Sequence, residues 1–105
     1  MDCVAITTTV GTHEDALRLA RALVEARLAA CAQVAAIESV YTWKQAVQHE
    51  PEWRIVFKTT ETMCPAATVA IAAQHPYEVP EIHAEPLAHV HPPYAAWVAD
   101  SVGPA

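Results

Sequence analysis

The sequence predicts an α+β sandwich in the order β-α-β-β-α-β with an added C-terminal helix, the split βαβ or ferredoxin-like arrangement. Three observations predict it. Cys3 to Val10 reads Cys-Val-Ala-Ile-Thr-Thr-Thr-Val, a β-branched run closed by Gly11, after which the apolar period changes from strand to helix. Two central runs, Ile37–Trp43 and Glu52–Thr60, alternate with a period of two. A second helical stretch follows Pro65, and one more short extended run, Glu81–Leu87, completes the order.

Each element has its own signal. Thr12 offers a capping hydroxyl ahead of Glu14 and Asp15, and Ala16, Leu17, Ala20, Leu23, Val24 and Leu28 recur at helical steps. This reads as a helix of about four or five turns ending near Ala30. In the second run Ile37, Ser39, Tyr41 and Trp43 share one face, and Glu38, Val40, Thr42 and Lys44 the other. In the third, Trp53, Ile55 and Phe57 face a core while Arg54, Val56 and Lys58 take the opposite side. The polar stretch Gln45–Pro51 reads as a moderately long hairpin tip. Val40, Thr42 and Val56 are expected on the face the helices leave open. The second helix is expected to begin near Thr62, with Pro65 tolerated in its first turn and Ala66, Val69, Ala70 and Ala73 facing inward. Pro86 puts the last strand at an edge or bend. Pro92-Pro93-Tyr94 opens a terminal helix carrying Tyr94, Trp97 and Val98, and Gly103-Pro104-Ala105 is expected to fray.

A chain of 105 residues reads as one small domain spanning 1–105, with little room for a large cleft inside one subunit. Its net charge of −6 disfavours nucleic acid and anionic membrane surfaces and suits cations. A hydrophobic fraction of 53% with only two glycines is rich for so short a chain, and the surplus apolar surface points to an oligomer. No apolar run approaches the ~18 residues that span a bilayer, and Asp2 stands where a secretory signal would be basic, so a cytoplasmic location is expected. Cys3, Cys31 and Cys64 form neither a disulfide framework nor a Cys-x-x-Cys pair, and reduced thiols are expected.

No catalytic signature is present: no Gly-x-Ser-x-Gly elbow, phosphate loop or His-Glu-x-x-His. The chain therefore reads as a non-enzyme without an organic cofactor. Among the six histidines, His13 and His49 read as solvated, and His89 and His91 as incidental surface residues. Cys31 reads first as a small buried sulfur, and Tyr41 and Trp43 as core aromatics or interface anchors. His75-Pro76-Tyr77-Glu78-Val79-Pro80-Glu81-Ile82 is the most informative segment. Its prolines fix the local backbone, so the stretch is either a stiff connector into a strand or a rigid presenter of His75, Tyr77 and Glu78.

That segment, with Arg27-Leu28-Ala29-Ala30-Cys31, Tyr41-x-Trp43-Lys44, and Glu52 followed by Lys58-Thr59-Thr60, resembles the CutA divalent-cation-tolerance family over nearly the whole chain. The resemblance implies a homotrimer built like the nitrogen-regulatory PII signalling proteins, with clefts between subunits. It implies cleft residues Cys31, Tyr41, Trp43, Glu52, Lys58, His75, Tyr77, Glu78 and Glu81, with Trp97 as a wall. Two departures stand out. Gln45 occupies a position where members usually have glycine, so the left-handed position there is expected to be lost. Thr8 stands where some members carry a first-strand cysteine proposed for copper.

The functional expectation is a trimer that binds a divalent cation, Cu²⁺ first, or a small ligand, with His75 as the nitrogen ligand and Glu78 or Glu81 as oxygen donors. The rival is a PII-like module that binds an anionic metabolite through Lys58, Arg54 and Tyr77 and docks on an unidentified protein partner. A hydrolase using a Glu78–His75 pair ranks last.

Overall fold

The computed structural model describes residues 2–104. Its elements are β1 (Cys3–Val10), α1 (His13–Glu25), β2 (Cys31–Trp43), β3 (Ala46–Thr60), α2 (Cys64–Gln74), β4 (Ile82–Pro86) and α3 (Pro92–Ser101). The strands form one antiparallel sheet in the order β2-β3-β1-β4. This is the predicted ferredoxin-like order with its extra helix. α1 and α2 cover one sheet face, where Val4, Ile6, Val10, Ile55 and Phe57 meet Leu19, Leu23 and Ile71. Cys3 points the other way, as alternation requires, and joins Ala30, Val98 and Val102 in a second cluster under α3.

The Thr12 hydroxyl accepts the Asp15 amide at 3.0 Å, as its position suggested. The helix then ends at Glu25, earlier than periodicity predicts, because Arg27 adopts φ 59°. The Arg27 amide reaches Val24 O at 3.0 Å and the Leu28 amide reaches Leu23 O at 3.0 Å, a Schellman closure around a non-glycine residue. The strain of that left-handed position, about 1–2 kcal/mol, is offset by the side chain. Its Nε donates to Gly103 O at 2.6 Å and its Nη2 to Asp100 O at 3.0 Å, while the Gly103 amide returns a bond to Arg27 O at 2.9 Å. Gly103 is thus tied down where fraying was expected; Ala105 lies outside the described residues. The inward stripe of α1 is also rotated from expectation: Leu19 is fully buried, whereas Leu17 and Val24 are 44% and 37% exposed. In α2, which starts at Cys64 rather than near Thr62, Ala67 and Ile71 are buried and Val69 is exposed.

The β2–β3 hairpin is longer than predicted. Its register runs without a bulge from Cys31↔Lys58 to Trp43↔Ala46, leaving only Lys44 and Gln45 at the tip. Both have positive φ, 50° and 68°, as a two-residue type I′ turn requires. The left-handed position at Gln45 is therefore kept, without the glycine that favours it. The register also separates residues grouped in the sequence reading. Val56 pairs with Gln33 on the face of Ile37 and Tyr41, whereas Val40 and Thr42 lie on the face of Trp53. β1 pairs with β3 only over Trp53–Thr60, so the outer hairpin is a two-stranded ribbon. It stretches the molecule to 44 × 25 × 21 Å and raises the radius of gyration to 14.2 Å, above the about 13 Å of a compact chain this long.

Gln45→Gly is expected to stabilise the fold by about 1 kcal/mol by relieving the strained tip, measured as a shift in urea midpoint at constant slope. Unchanged or lower stability would contradict the strain assigned to that turn.

Candidate functional site

After α2, Pro76 and Pro80 bracket a segment without regular structure that crosses the ends of β1 and β3. His75 fastens it. Its Nε2–H donates to Thr9 O at 2.9 Å and lies 3.1 Å from Thr8 Oγ1, while Nδ1 accepts the Tyr77 amide at 3.1 Å. Thr8 Oγ1 in turn donates to Glu81 O at 2.6 Å. A carbonyl acceptor at one nitrogen and an amide donor at the other specify the neutral Nε2–H tautomer. Half-burial holds the His75 pKa below its ordinary 6.5; the Arg18 charge adds to this, and the Thr9 carbonyl, Asp15 and Glu52 oppose it.

Fixing the segment places Tyr77 over β3, where its phenol donates to Glu52 Oε2 at 2.6 Å. Glu52 is only 7% exposed although it lies opposite the α1/α2 core. Burial and then the Glu52 carboxylate raise the Tyr77 pKa far above 10.0. Tyr41, on the facing strand, is raised in the same direction, first by loss of water and then by the charges of Glu50 and Glu52. Between the ribbon and the Pro76–Pro80 segment lies a cavity of about 800 Å³ lined by Tyr41, Trp43, Tyr77 and four glutamates, Glu50, Glu52, Glu78 and Glu81, with no lysine, arginine or histidine in its wall. Glu81 also bonds His83 Nε2 at 2.7 Å on the exposed β4 edge.

The predicted site residues thus fall into two groups. Tyr41, Trp43, Glu52, Tyr77, Glu78 and Glu81 share the cavity, and His75 anchors its wall. Cys31, Lys58 and Trp97 lie toward the other end of the sheet. Lys58 donates to Gln33 Oε1 at 3.0 Å, and Cys31 Sγ lies 3.5 Å from the Tyr94 phenol, whose ring packs on Trp97 at 5.6 Å. Burial, then the Cys31 contact and charge, push the Tyr94 phenol to about 12. Cys31 is half-buried rather than sealed. Sequence reasoning missed Thr8, Glu50 and Tyr94 as participants. Glu50 had a findable signal, since it alternates with Glu52 on one strand face. His13 is exposed, as expected, and also lays its ring on Trp53 with centroids 4.3 Å apart. Among the described residues no three His, Cys, Asp or Glu side chains converge as a metal-binding group.

His75 gives this arrangement a pH dependence. Protonating Nδ1 would set an N–H against the Tyr77 N–H. Because the folded pKa lies below the unfolded 6.5, the stabilisation is complete above pH 6.5 and is lost as pH falls through the folded value. His75→Gln is expected to destabilise the fold at pH 7 by about 1–3 kcal/mol. Thermal unfolding should show the gap from the native chain narrowing toward pH 5. A gap independent of pH would contradict the neutral clamp.

Comparison with known proteins places this geometry. A family model described as CutA1 divalent ion tolerance protein matches residues 4–101. The divalent-cation tolerance protein CutA of Thermus thermophilus is 38% identical over 96 residues, covering 90% of this chain and 93% of that protein. Protein CutA of Mus musculus is 40% identical over 91 residues, covering 86% of this chain and 51% of that protein, so the chain spans about half the length of this relative. The solved structure of the Thermus thermophilus protein has a TM-score of 0.91 at 36% identity, covering 96% of this chain and 99% of that chain. CutA from Synechococcus elongatus gives 0.94 at 36% identity, covering 97% and 91%. With the family match running from β1 to the end of α3, and the solved folds superposing along nearly their whole length, the chain belongs to the CutA1 divalent ion tolerance family.

Proposed function

We propose that the protein serves divalent-cation tolerance as a cytoplasmic, non-enzymatic homotrimer that takes a cation or small ligand in clefts between subunits. The observation that carries this reading is the cavity wall: four glutamates, no basic residue, on a chain of net charge −6. Such a concave acidic surface concentrates cations. The trimer is supported by the outer β2–β3 ribbon, which has no third strand and exposes Val40, Tyr41, Trp43 and Val47. A two-stranded ribbon is marginal in water, and a neighbouring subunit would cover it. A neighbour would also bring the Cys31–Lys58–Trp97 end of one sheet within reach of the Tyr77 end of another.

Cu²⁺ remains the ion to test first, with Glu78 and Glu81 as donors. His75 is assigned a positioning role: for Nδ1 to ligate a metal, the Tyr77 amide bond would have to open. The same partners leave His75 no bond to Glu78, which counts against a Glu78–His75 hydrolase. An anionic metabolite fits less well within one subunit, where Lys58 is engaged by Gln33 and does not line the cavity, and would depend on the Lys58 end that a neighbour brings. Docking of a partner protein has no specific observation in its favour.

Light scattering is expected to give a mass three times the 11.4 kDa of the chain; a monomer mass would remove the intersubunit cleft. Calorimetric titration of the reduced protein with Cu²⁺ should saturate near one ion per subunit at about −8 kcal/mol or better, and Glu78→Gln with Glu81→Gln should weaken it at least about tenfold. Weak, non-saturating heat would count against a metal site.

A further inference from the structure

Within one subunit Glu52 is a buried carboxylate that no cation meets. It is 7% exposed, and its Oε2 accepts the Tyr77 phenol at 2.6 Å. Its Oε1 has no hydrogen-bond partner among the described residues and is not sealed in. Arg54, two positions along the same strand face, forms no ion pair with it, and neither does any other base among the described residues. One neutral phenol does not balance a carboxylate held away from water. Covering this end of the molecule with a neighbour removes more water and enlarges the imbalance, so a counter-charge has to arrive with the cover.

The same strand carries the converse at its other end. Lys58 Nζ donates to the neutral Gln33 Oε1 at 3.0 Å and pairs with no carboxylate among the described residues. Glu52 and Lys58 share one face of β3 but lie six residues apart, about 20 Å at the ordinary strand rise, so they do not meet within one chain. That face is dipolar. Glu50 and Glu52 occupy the end toward the hairpin tip and Arg54 and Lys58 the other end, while the β2 residues opposite them, Ser39, Ile37, Ala35 and Cys31, are uncharged. A closed ring of identical chains joins two different patches of each molecule, one facing each neighbour. Opposite charges at the two ends of one face suit such a head-to-tail contact. Aromatic side chains stand ready to enclose it, Tyr41, Trp43 and Tyr77 at the acidic end and the stacked Tyr94 and Trp97 toward the basic end.

We propose that Lys58 of the partner subunit completes the Glu52–Tyr77 pair in the assembled protein, the carboxylate receiving the Tyr77 phenol on Oε2 and the ammonium of the next chain on Oε1. This rests on the trimer reading above and names the residue that a second copy contributes to the site. Lys58 exchanges the neutral Gln33 acceptor for a charged one, and the charge-assisted bond is the stronger. With Glu52 matched by the protein itself, Glu50, Glu78 and Glu81 remain to face a ligand, and Lys58 is no longer free to hold an anion.

The first test is zero-length carbodiimide coupling of the whole protein assembled from a mixture of light and isotopically heavy chains. A Glu52–Lys58 linkage between a light and a heavy chain is expected, together with its loss in Lys58→Gln. The second is a double-mutant cycle on urea-induced dissociation, with circular dichroism checking that each variant keeps its fold. Glu52→Gln, which keeps an acceptor for the Tyr77 phenol, and Lys58→Gln should each raise the dissociation constant at least about tenfold, equivalent to about 1.4 kcal/mol. The double variant should go no further than the larger single effect, because either substitution already breaks the pair. Sites this far apart in one chain act additively, so the coupling reads contact between chains. Glu14→Gln, exposed on α1, should leave dissociation unchanged. A trimer whose two variants add independently and that yields no such linkage would overturn the Lys58 assignment and leave the trimer reading standing; a native chain that scatters light as a monomer would remove both.

Discussion

The His75 imidazole is bonded at both nitrogens, to Thr9 O through Nε2 and to the Tyr77 amide through Nδ1, and the rest of the cavity follows from those two bonds. They hold a proline-bracketed segment that has no ladder or helix of its own. They set the height of Tyr77 above β3, and with it the bond that covers Glu52. Thr8 closes the arrangement by linking the same corner to Glu81 O, the residue before β4. Replacing His75 by an apolar residue would remove both bonds and release the segment they hold.

Placed on that frame, the outer β2–β3 ribbon supplies the opposite wall. Its ladder is continuous and bulge-free, and its strained two-residue tip projects Tyr41 and Trp43 beyond the three-strand part of the sheet. The ribbon serves two purposes that pull in one direction. It carries the aromatic wall of the cavity, and in the proposed trimer its exposed apolar residues meet a partner surface. A protein whose binding cleft is completed by assembly couples ligand occupancy to subunit association, because whatever binds only the assembled state stabilises it.

Much of the fold was legible because alternation and helical spacing are strong signals in long segments. Trp53, Ile55 and Phe57 face the core where the period of two put them, and α3 begins at its proline pair. The failures share a cause. The early end of α1 and the tight tip of the hairpin both depend on non-glycine residues, Arg27 and Gln45, in left-handed conformations. Arg27 is held there by bonds to residues some 75 positions away along the chain, which no local pattern records. Likewise Leu17 and Leu19 are equally apolar, and only packing against α2 and the sheet decides which is buried. At the site, the family resemblance picked out the residues, but not that His75 uses both nitrogens internally or that Cys31, Lys58 and Trp97 sit apart from the others. Those are facts of three-dimensional registry.

The most direct test of this account is nitrogen-15 NMR of the imidazoles at pH 7, with His75 assigned by comparison with His75→Gln. The structure predicts a neutral ring with the proton on Nε2 and an Nδ1 shift typical of an acceptor, persisting when a cation is added. A proton on Nδ1, a protonated ring, or an Nδ1 resonance displaced on adding Zn²⁺ would contradict it, and would return His75 from the frame of the cavity to the ligand set.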